Sequence, residues 1–320
     1  MTREVRHSLV VPHTCIDLRV DQALARLLPE YSRALLKQWI EDGRATLNRA
    51  SVKPRTRVQA GDRVDIVARL AASAEVAPQA VDFTVIYADH DLLVIDKPAG
   101  VVVHPGAGNP DHTLVNGLIA RFPDLAALPR AGLVHRIDKD TSGLLLAARH
   151  SGALQRLTRA LAAREIHRVY RAVISGQLTA GCTIDRALGR DPQARTRMRV
   201  VASGRHAVTH VRVVARYRAH TQIEAELETG RTHQIRVHLA AIGHPLVGDH
   251  RYGARPRPPR GASAHLRGVL ETFRRQALHA HRLAFAHPLT GDELTFEANL
   301  PADFMTLIQA LACDAEHALA

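Results

Sequence analysis

The sequence predicts an α+β protein: a small amino-terminal module, a linker, and a large domain around a mixed, mostly antiparallel sheet with flanking helices. Three observations lead there. Apolar residues recur at helical spacing in two short stretches before residue 43, with short alternating strands after them. From about residue 82, β-rich segments outnumber helical ones. The chain has 320 residues, 46% of them hydrophobic, enough for two domains with real cores and too apolar for disorder.

In the first module, Val20, Leu24, Leu27 and Leu28 fall on one face of a helix within residues 18–28. Ser32 reads as the N-cap of a second helix carrying Leu35, Leu36, Trp39 and Ile40, stopped at Gly43. Short strands follow at 45–48 and 63–67, where Val64 and Ile66 alternate with charge. The turn at Asn48-Arg49-Ala50 departs from the stronger Asn-Gly former. The module ends at residue 69, and 70–81, without periodicity, reads as a linker.

The large domain, 82–320, opens with strands at 83–87 and 92–95 and continues with 101–103, 144–148, 169–174, 208–214 and 235–239. Helices are expected at 113–122, 153–164 and 304–311. In the block 231–239, His233, Ile235, Val237 and Leu239 would share one strand face.

Charge narrows the partner. Lys and Arg number 43 against 31 Asp and Glu, a formal +12, and only four of the 43 are Lys. Arginine grips phosphate bidentately and stacks on bases. The positive charge is also clustered, with nine Arg against one acid in 186–218 and seven against one in 251–275. Such stripes suit a phosphate backbone. No amphipathic basic helix with an aromatic face favours a membrane surface. No apolar run is long enough to span a bilayer, and the amino terminus reaches only Leu9-Val10-Val11 before Pro12, too short for a signal peptide. Cys15, Cys182 and Cys313 are scattered, so a reducing cytoplasm is the expected compartment and no cysteine zinc site is expected.

The densest chemistry lies in His135-Arg-Ile-Asp-Lys-Asp-Thr-Ser-Gly-Leu, a polar loop before a buried strand. Asp138, with Arg136 and Lys139 beside it, is a candidate nucleophile or base. Two other signatures match parts of this loop. The run from Asp138 to Gly143 matches half a calcium loop, but Arg149 stands where the bidentate Glu belongs. Asp138-Lys-Asp-Thr matches an aspartate phosphohydrolase signature, but no Lys follows Lys139. A salt-bridged turn without chemistry is the plain structural alternative. Zinc on His233, His238, His244 or His250 is not favoured, because the 20 histidines are spread along the whole chain.

The same loop resembles the signature of the RluA-type pseudouridine synthases, with Ile137 where Leu is usual. Other blocks resemble that family in order: Asp96-Lys-Pro-Ala-Gly, Arg168-Val-Tyr-Arg-Ala-Val, Gly230-Arg-Thr-His-Gln-Ile-Arg-Val-His-Leu, Gly243-His-Pro-Leu-Val-Gly-Asp, and Gln276-Ala-Leu-His-Ala-His-Arg-Leu. The first module resembles the alpha-L RNA-binding fold of a small-subunit ribosomal protein.

The resemblance implies isomerisation of uridine to pseudouridine in a large-subunit ribosomal RNA stem-loop, by a monomer needing no cofactor, metal or nucleotide. Asp138 would be the nucleophile, Tyr170 would lie against the uracil, and Arg231 would pair with Asp138. Arg136 and His135 would touch RNA as the target base leaves its stack. Arg33, Lys37 and Arg44 in the first module, and Arg190, Arg195, Arg197 and Arg199 in a loop between strands, would hold RNA backbone. An inactive RNA-binding assembly factor on the same scaffold is the alternative.

Overall fold

The computed structural model describes residues 3–28, 31, 33–70, 76–106, 108–194, 196–253 and 258–317. Its contacts divide the chain into two compact units, 1–75 and 76–320.

The first unit runs β1 (Arg3–Val10), α1 (Val20–Leu27), α2 (Arg33–Glu41), β2 (Ala45–Leu47), β3 (Ala50–Ser51) and β4 (Arg63–Leu70). The strands form an antiparallel sheet in the order β1-β4-β2-β3. Val20 and Leu24 of α1, Leu36, Trp39 and Ile40 of α2, and Val64 and Ile66 of β4 make one core. Those are the residues whose spacing predicts the elements. The expected cap Ser32 lies outside the described residues. β1 was not anticipated, because its outer face carries charge and its inner face is only half buried against β4.

The unfavourable turn is visible in the backbone. Asn48 and Arg49 both have positive φ, 50° and 68°. Asn tolerates this, and Asn48 also donates to Asp62 at 2.8 Å and accepts from the Arg63 amide at 2.8 Å. Arg49 has no such compensation from its side chain, and its Cβ is crowded there.

The second unit is arranged about a nine-stranded sheet. In chain order it comprises β5 (Thr84–Ala88), β6 (Leu92–Lys97), α3 (Leu114–Arg121), β7 (Ser142–Ala148), α4 (Ser151–Ala163), β8 (His167–Ser175) and β9 (Cys182–Asp185). Then follow β10 (Leu188–Arg190), β11 (Met198–Val200), β12 (Val208–Arg216), β13 (His220–Leu227), α5 (Gln234–Ala241), α6 (Ala264–Thr272), β14 (Leu278–Ala286), β15 (Glu293–Glu297) and α7 (Ala302–His317). The strand order is β5-β6-β7-β14-β8-β13-β12-β9, with β15 on β14, and β10 and β11 form a separate ribbon. The β7–β14 pairing is parallel; the other pairings of the sheet are antiparallel.

The sheet is covered on both faces, so its central strands read as continuous apolar runs. Leu93 and Ile95 pack to one side with α3 and α5, and Leu92 and Val94 to the other with α4. α6 and α7 close a third cluster over Val173 and Ala277.

Several expectations change. Ile235–Leu239 is helix, not strand, because the alternating pattern is coincidental. Ile235 and Leu239, four apart, face the main core, Val237 faces a small cluster with Leu188, and the intervening polar residues are buried too. Gln234 and His238 can be buried because each has partners: Gln234 donates to the Val208 carbonyl, and His238 hydrogen-bonds Thr209. Residues 101–103 form no strand; their carbonyls receive the first amides of α3, as in Leu114 N–H to Val102 O at 2.8 Å. Residues 76–81, expected in the linker, lie on the second unit, where Val76 joins its core and Asn116 donates to the Ala77 carbonyl at 2.9 Å. Within 189–199 the loop is shorter than expected, because both flanks pair as the β10–β11 ribbon.

One glycine sets the central geometry. Gly143 in β7 has φ 109°, and a Cβ there would lie 2.2 Å from the Ala280 carbonyl oxygen of β14. Only glycine allows the two strands to come so close. Gly143→Ala is therefore expected to cost about 3 kcal/mol or more, read by circular dichroism in urea. Conversely, Arg49→Gly should stabilise the first unit by about 1 kcal/mol, read by the fluorescence of the chain's one tryptophan, Trp39. A destabilised Arg49→Gly would show that the arginine side chain holds the turn.

Candidate active site

The loop before β7 is tied at several points. Leu133 and Val134 pair with β7, the latter donating to the Leu146 carbonyl at 2.9 Å. Thr141 donates back to the Asp138 carbonyl at 3.1 Å, and buried Gln276 donates to the Thr141 hydroxyl at 3.0 Å. The fully buried Lys97, at the end of β6, donates to the carbonyls of Pro98, Val101 and Lys139 at 2.7, 2.9 and 2.9 Å. Three carbonyls match the three hydrogens of its ammonium, although burial pushes its pKa down to about 7. Lys97 thus binds the Asp138 loop to the 98–101 turn.

Asp138 meets Arg236 of α5. Arg236 Nη1 donates to Asp138 Oδ2 at 2.8 Å. Its other edge is held bidentately by Asp249, Nε to Oδ2 at 2.7 Å and Nη2 to Oδ1 at 2.9 Å. Asp249 is buried and also accepts the Arg251 and Tyr252 amides at 3.0 and 3.1 Å. Burial disfavours the Arg236 charge, but hydrogen-bonded Asp249 and nearby Asp138 outweigh it and raise its pKa. The guanidinium lies 5.1 Å from the Tyr252 ring centroid, and Tyr252 Oη is 2.6 Å from His233 Nδ1.

This geometry corrects the expected pairing. Arg231 is exposed on the loop before α5, and its Nε donates to the His206 carbonyl at 3.1 Å. Because 231–239 reads as a strand, alternation puts Arg236 opposite the core residues; the helix instead turns it inward to Asp138.

Asp138 is partly exposed in a cavity of about 650 Å³. Its lining includes Arg136, Tyr170, Leu227, Arg236 and Leu278. Tyr170 is brought there by β8, and burial raises its pKa, with the Arg168 charge opposing and Asp138 adding. A second cavity, about 620 Å³, adjoins the loop and shares Arg136, Asp138 and Arg236. It is basic, with Lys139, Arg251, Arg274 and Arg275 on its walls.

The other expected residues divide. Arg136 is exposed between the two cavities, without a hydrogen bond to a described residue. His135 is instead turned onto the sheet: its Nε2 accepts the Leu146 amide at 3.3 Å, and burial, then Arg168, push its pKa to about 3. The neutral ring straps β7 and also lines the first cavity. Arg33 is held by buried Asp21 at 2.7 Å. Exposed Lys37 makes a weak pair with Glu41 at 3.2 Å, while Arg44 is exposed. Arg190 and Arg199 are exposed on the ribbon. Arg197 donates to the Arg251 carbonyl and lies 5.6 Å from the Tyr252 ring, so it ties the ribbon loop down. Arg195 lies outside the described residues. Asp249 and Arg236 were both missed as site residues, although each stands in a quoted block.

A metal-like cluster lies elsewhere: Asp89 and Asp91 with His90, His150 and His287. His150 Nδ1 accepts the Ala153 amide, and His287 Nδ1 accepts those of Leu289 and Thr290. Each Nε2 therefore carries its hydrogen and donates to a carboxylate, Asp91 at 2.7 Å and Asp89 at 3.1 Å. A metal would need those lone pairs, so this is a closed hydrogen-bond network.

Residues 91–241 match the family model for RNA pseudouridylate synthase, and 18–64 match that for the S4 domain. A Yersinia pestis protein called ribosomal large subunit pseudouridine synthase D is 48% identical over 317 residues, 99% of this chain and 98% of that one. The chain belongs to the RluA-type RNA pseudouridine synthases. A Shigella flexneri protein of the same name is 46% identical, over 99% and 97% of the two chains. Among solved structures, human RNA pseudouridylate synthase domain containing 1 aligns with TM-score 0.53 and 25% identity over 72% of this chain and 95% of its own. Human RNA pseudouridylate synthase domain containing 4 has the same fold, with TM-score 0.56 and 24% identity over 71% and 92%. The S4 region falls within the first unit and the synthase region within the second.

The pairing makes a sharp distinction between two arginines of one block. In single-turnover tritium release from RNA labelled at uridine C5, Arg236→Gln should lower the rate about 100-fold or more, as for loss of a preorganised charged donor. Arg231→Gln should stay within about threefold, the scale of a lost exposed contact. The reverse order would reinstate Arg231 as the partner of Asp138.

Proposed function

We propose that this synthase isomerises uridines in a stem-loop of large-subunit ribosomal RNA, with Asp138 as the nucleophile. The observation that carries this reading is the carboxylate of Asp138, open to a cavity and held from behind by Arg236. Its loop is tied to β6, β7 and the Thr141–Gln276 pair, so the carboxylate is presented without reorganisation. The two relatives named above carry the ribosomal large subunit in their names, and the alignments cover 99% of this chain.

A uridine inside a helix is out of reach of such a cavity, so the target base swings out, at a cost of a few kcal/mol. Arg136, exposed and lining both cavities, contacts the RNA as the target base leaves its stack. Tyr170 supports the uracil as a wall. Its phenol keeps its proton at neutral pH, because burial raises its pKa, so it is a poor base there. The glycosidic bond between N1 and C1′ breaks, the base turns, and C5 bonds to C1′. Product and substrate are isomers, so the net reaction consumes no oxidant, reductant or nucleotide.

The first unit supplies affinity. Lys37 and Arg44 are its exposed cations on the second helix and its exit, and Arg190 and Arg199 extend the basic surface of the catalytic unit. Their phosphate contacts would make binding weaken with salt.

The test is tritium release from ribosomal RNA labelled at C5. The wild type is expected to release tritium in buffer containing a chelator, and Asp138→Asn to release none while binding RNA within about threefold of wild type, since the amide is isosteric and only the charge is lost. Release by the mutant would remove Asp138 from the reaction, and a requirement for added metal would favour a hydrolase.

A further inference from the structure

The cavity beside Asp138 contains a second buried arginine, and it is bonded very differently from the first. Arg168 lies in β8, two residues before Tyr170, so the two side chains leave the strand on the same face. Both line the cavity. Arg168 is 6% exposed. Its Nε has no hydrogen-bond partner among the described residues, and its one hydrogen bond is a long one from Nη2 to the Leu227 carbonyl, 3.3 Å. No carboxylate among the described residues pairs with it, whereas Arg236 is held by two. Burial alone depresses its pKa, with Tyr170 opposing.

A buried cation with most of its five donors unspent is costly, and structures keep one when a ligand completes it. The surroundings confirm that space is set aside for this head group. A Cβ on Gly230 would lie 2.8 Å from Arg168 Nη1, and the φ of Gly230 is not in the left-handed range, so the glycine serves room rather than backbone shape. The same cavity wall includes the apolar side chains of Val134, Ile137, Leu227 and Leu278, against which a flat ring can pack. Phosphates are better served at the exposed rim by Arg136 and Arg231.

We propose that Arg168 is a catalytic residue that donates hydrogen bonds to a carbonyl oxygen of the target uracil and stabilises the negative charge the ring acquires. This rests on the reading of the cavity as the uracil site. When N1–C1′ breaks, its electron pair stays with the ring and spreads over N1, O2 and O4. C5 then bonds to C1′, the C5 proton leaves, and N1 takes one up, so the atoms balance. If the nucleophile instead adds to the ring, the charge again falls on a carbonyl oxygen. In either case Arg168 supplies what Arg236 cannot, because Arg236 is spent on two carboxylates. The guanidinium is already desolvated and in place, the condition under which a charged donor contributes most to a transition state.

The experiment compares wild type, Arg168→Met and Arg168→Lys in single-turnover tritium release, with thermal melting by circular dichroism and RNA affinity measured on the same samples. Arg168→Met is expected to be slowed about 100-fold or more, with RNA affinity within about threefold, and Arg168→Lys to recover part of the rate. The same RNA carrying 2-thiouridine or 4-thiouridine identifies the contact. Sulfur is the poorer acceptor, so at the oxygen that Arg168 touches the gap between wild type and mutant should narrow about tenfold, as for two changes on one interaction. If the methionine variant unfolds, the lysine variant carries the same comparison. Equal rates for active wild type and Arg168→Met overturn the proposal alone, as does a gap that neither sulfur changes. Wild type that releases no tritium from ribosomal RNA overturns the reading of the cavity, and this proposal with it.

Discussion

One guanidinium between two carboxylates organises the catalytic unit. Arg236 is buried only because Asp249 neutralises it through two parallel hydrogen bonds, and it can then offer its remaining edge to Asp138. Removing either carboxylate would leave charge uncompensated in an interior that tolerates it poorly. The surrounding structure follows from this requirement. α5 must be a helix for Arg236 to face inward, the 249–252 turn must present amides to Asp249, and the Asp138 loop must be fixed from behind. Lys97 does the last of these, reaching across to the Lys139 carbonyl.

The sheet delivers these groups to one place. Asp138 precedes β7, Tyr170 and Arg168 lie on β8, and β14 runs between the two strands. The close approach of β14 to β7 depends on Gly143 in the signature loop's own strand. The signature therefore encodes both the carboxylate that opens to the cavity and the packing that sets its distance from β8. This is why Gly143 sits so near Asp138 in sequence: strand position and loop position are one geometric constraint.

The charge of +12 resolves into arginines of different kinds. Arg33, Arg197 and Arg275 are held by Asp21, by the Arg251 carbonyl and by Asp303, and so belong to the fold. Arg136, Arg190 and Arg199 are exposed without such partners and belong to the surface that RNA would meet. Arg168 is neither, being buried with its Nε unpartnered among the described residues. Composition makes all of these look alike, because side-chain charge is a local property while its compensation comes from residues far along the chain.

What could be read from residues alone was whatever local spacing governs. The helices of the first unit, the strands β6 and β7, the helix α4 and the Asp138 loop all announce themselves through periodicity or charge density. β14 was not legible, since a polar residue such as His279 is buried through Ser142, a partner remote in sequence; β13 was not either, since Gln222 is buried against Tyr217 only once the chain has turned between them. The segment 231–239 misled for the same reason: Gln234, Arg236 and His238 look solvent-facing until Val208, Asp138, Asp249 and Thr209 are brought beside them. The sequence by itself determined the fold class, the family motifs and the charged loop that carries Asp138, because these depend on short-range pattern. Only the tertiary structure decided which arginine grips that carboxylate and which one waits unpaired beside it, because the burial of a charge is settled by what the folded chain places around it.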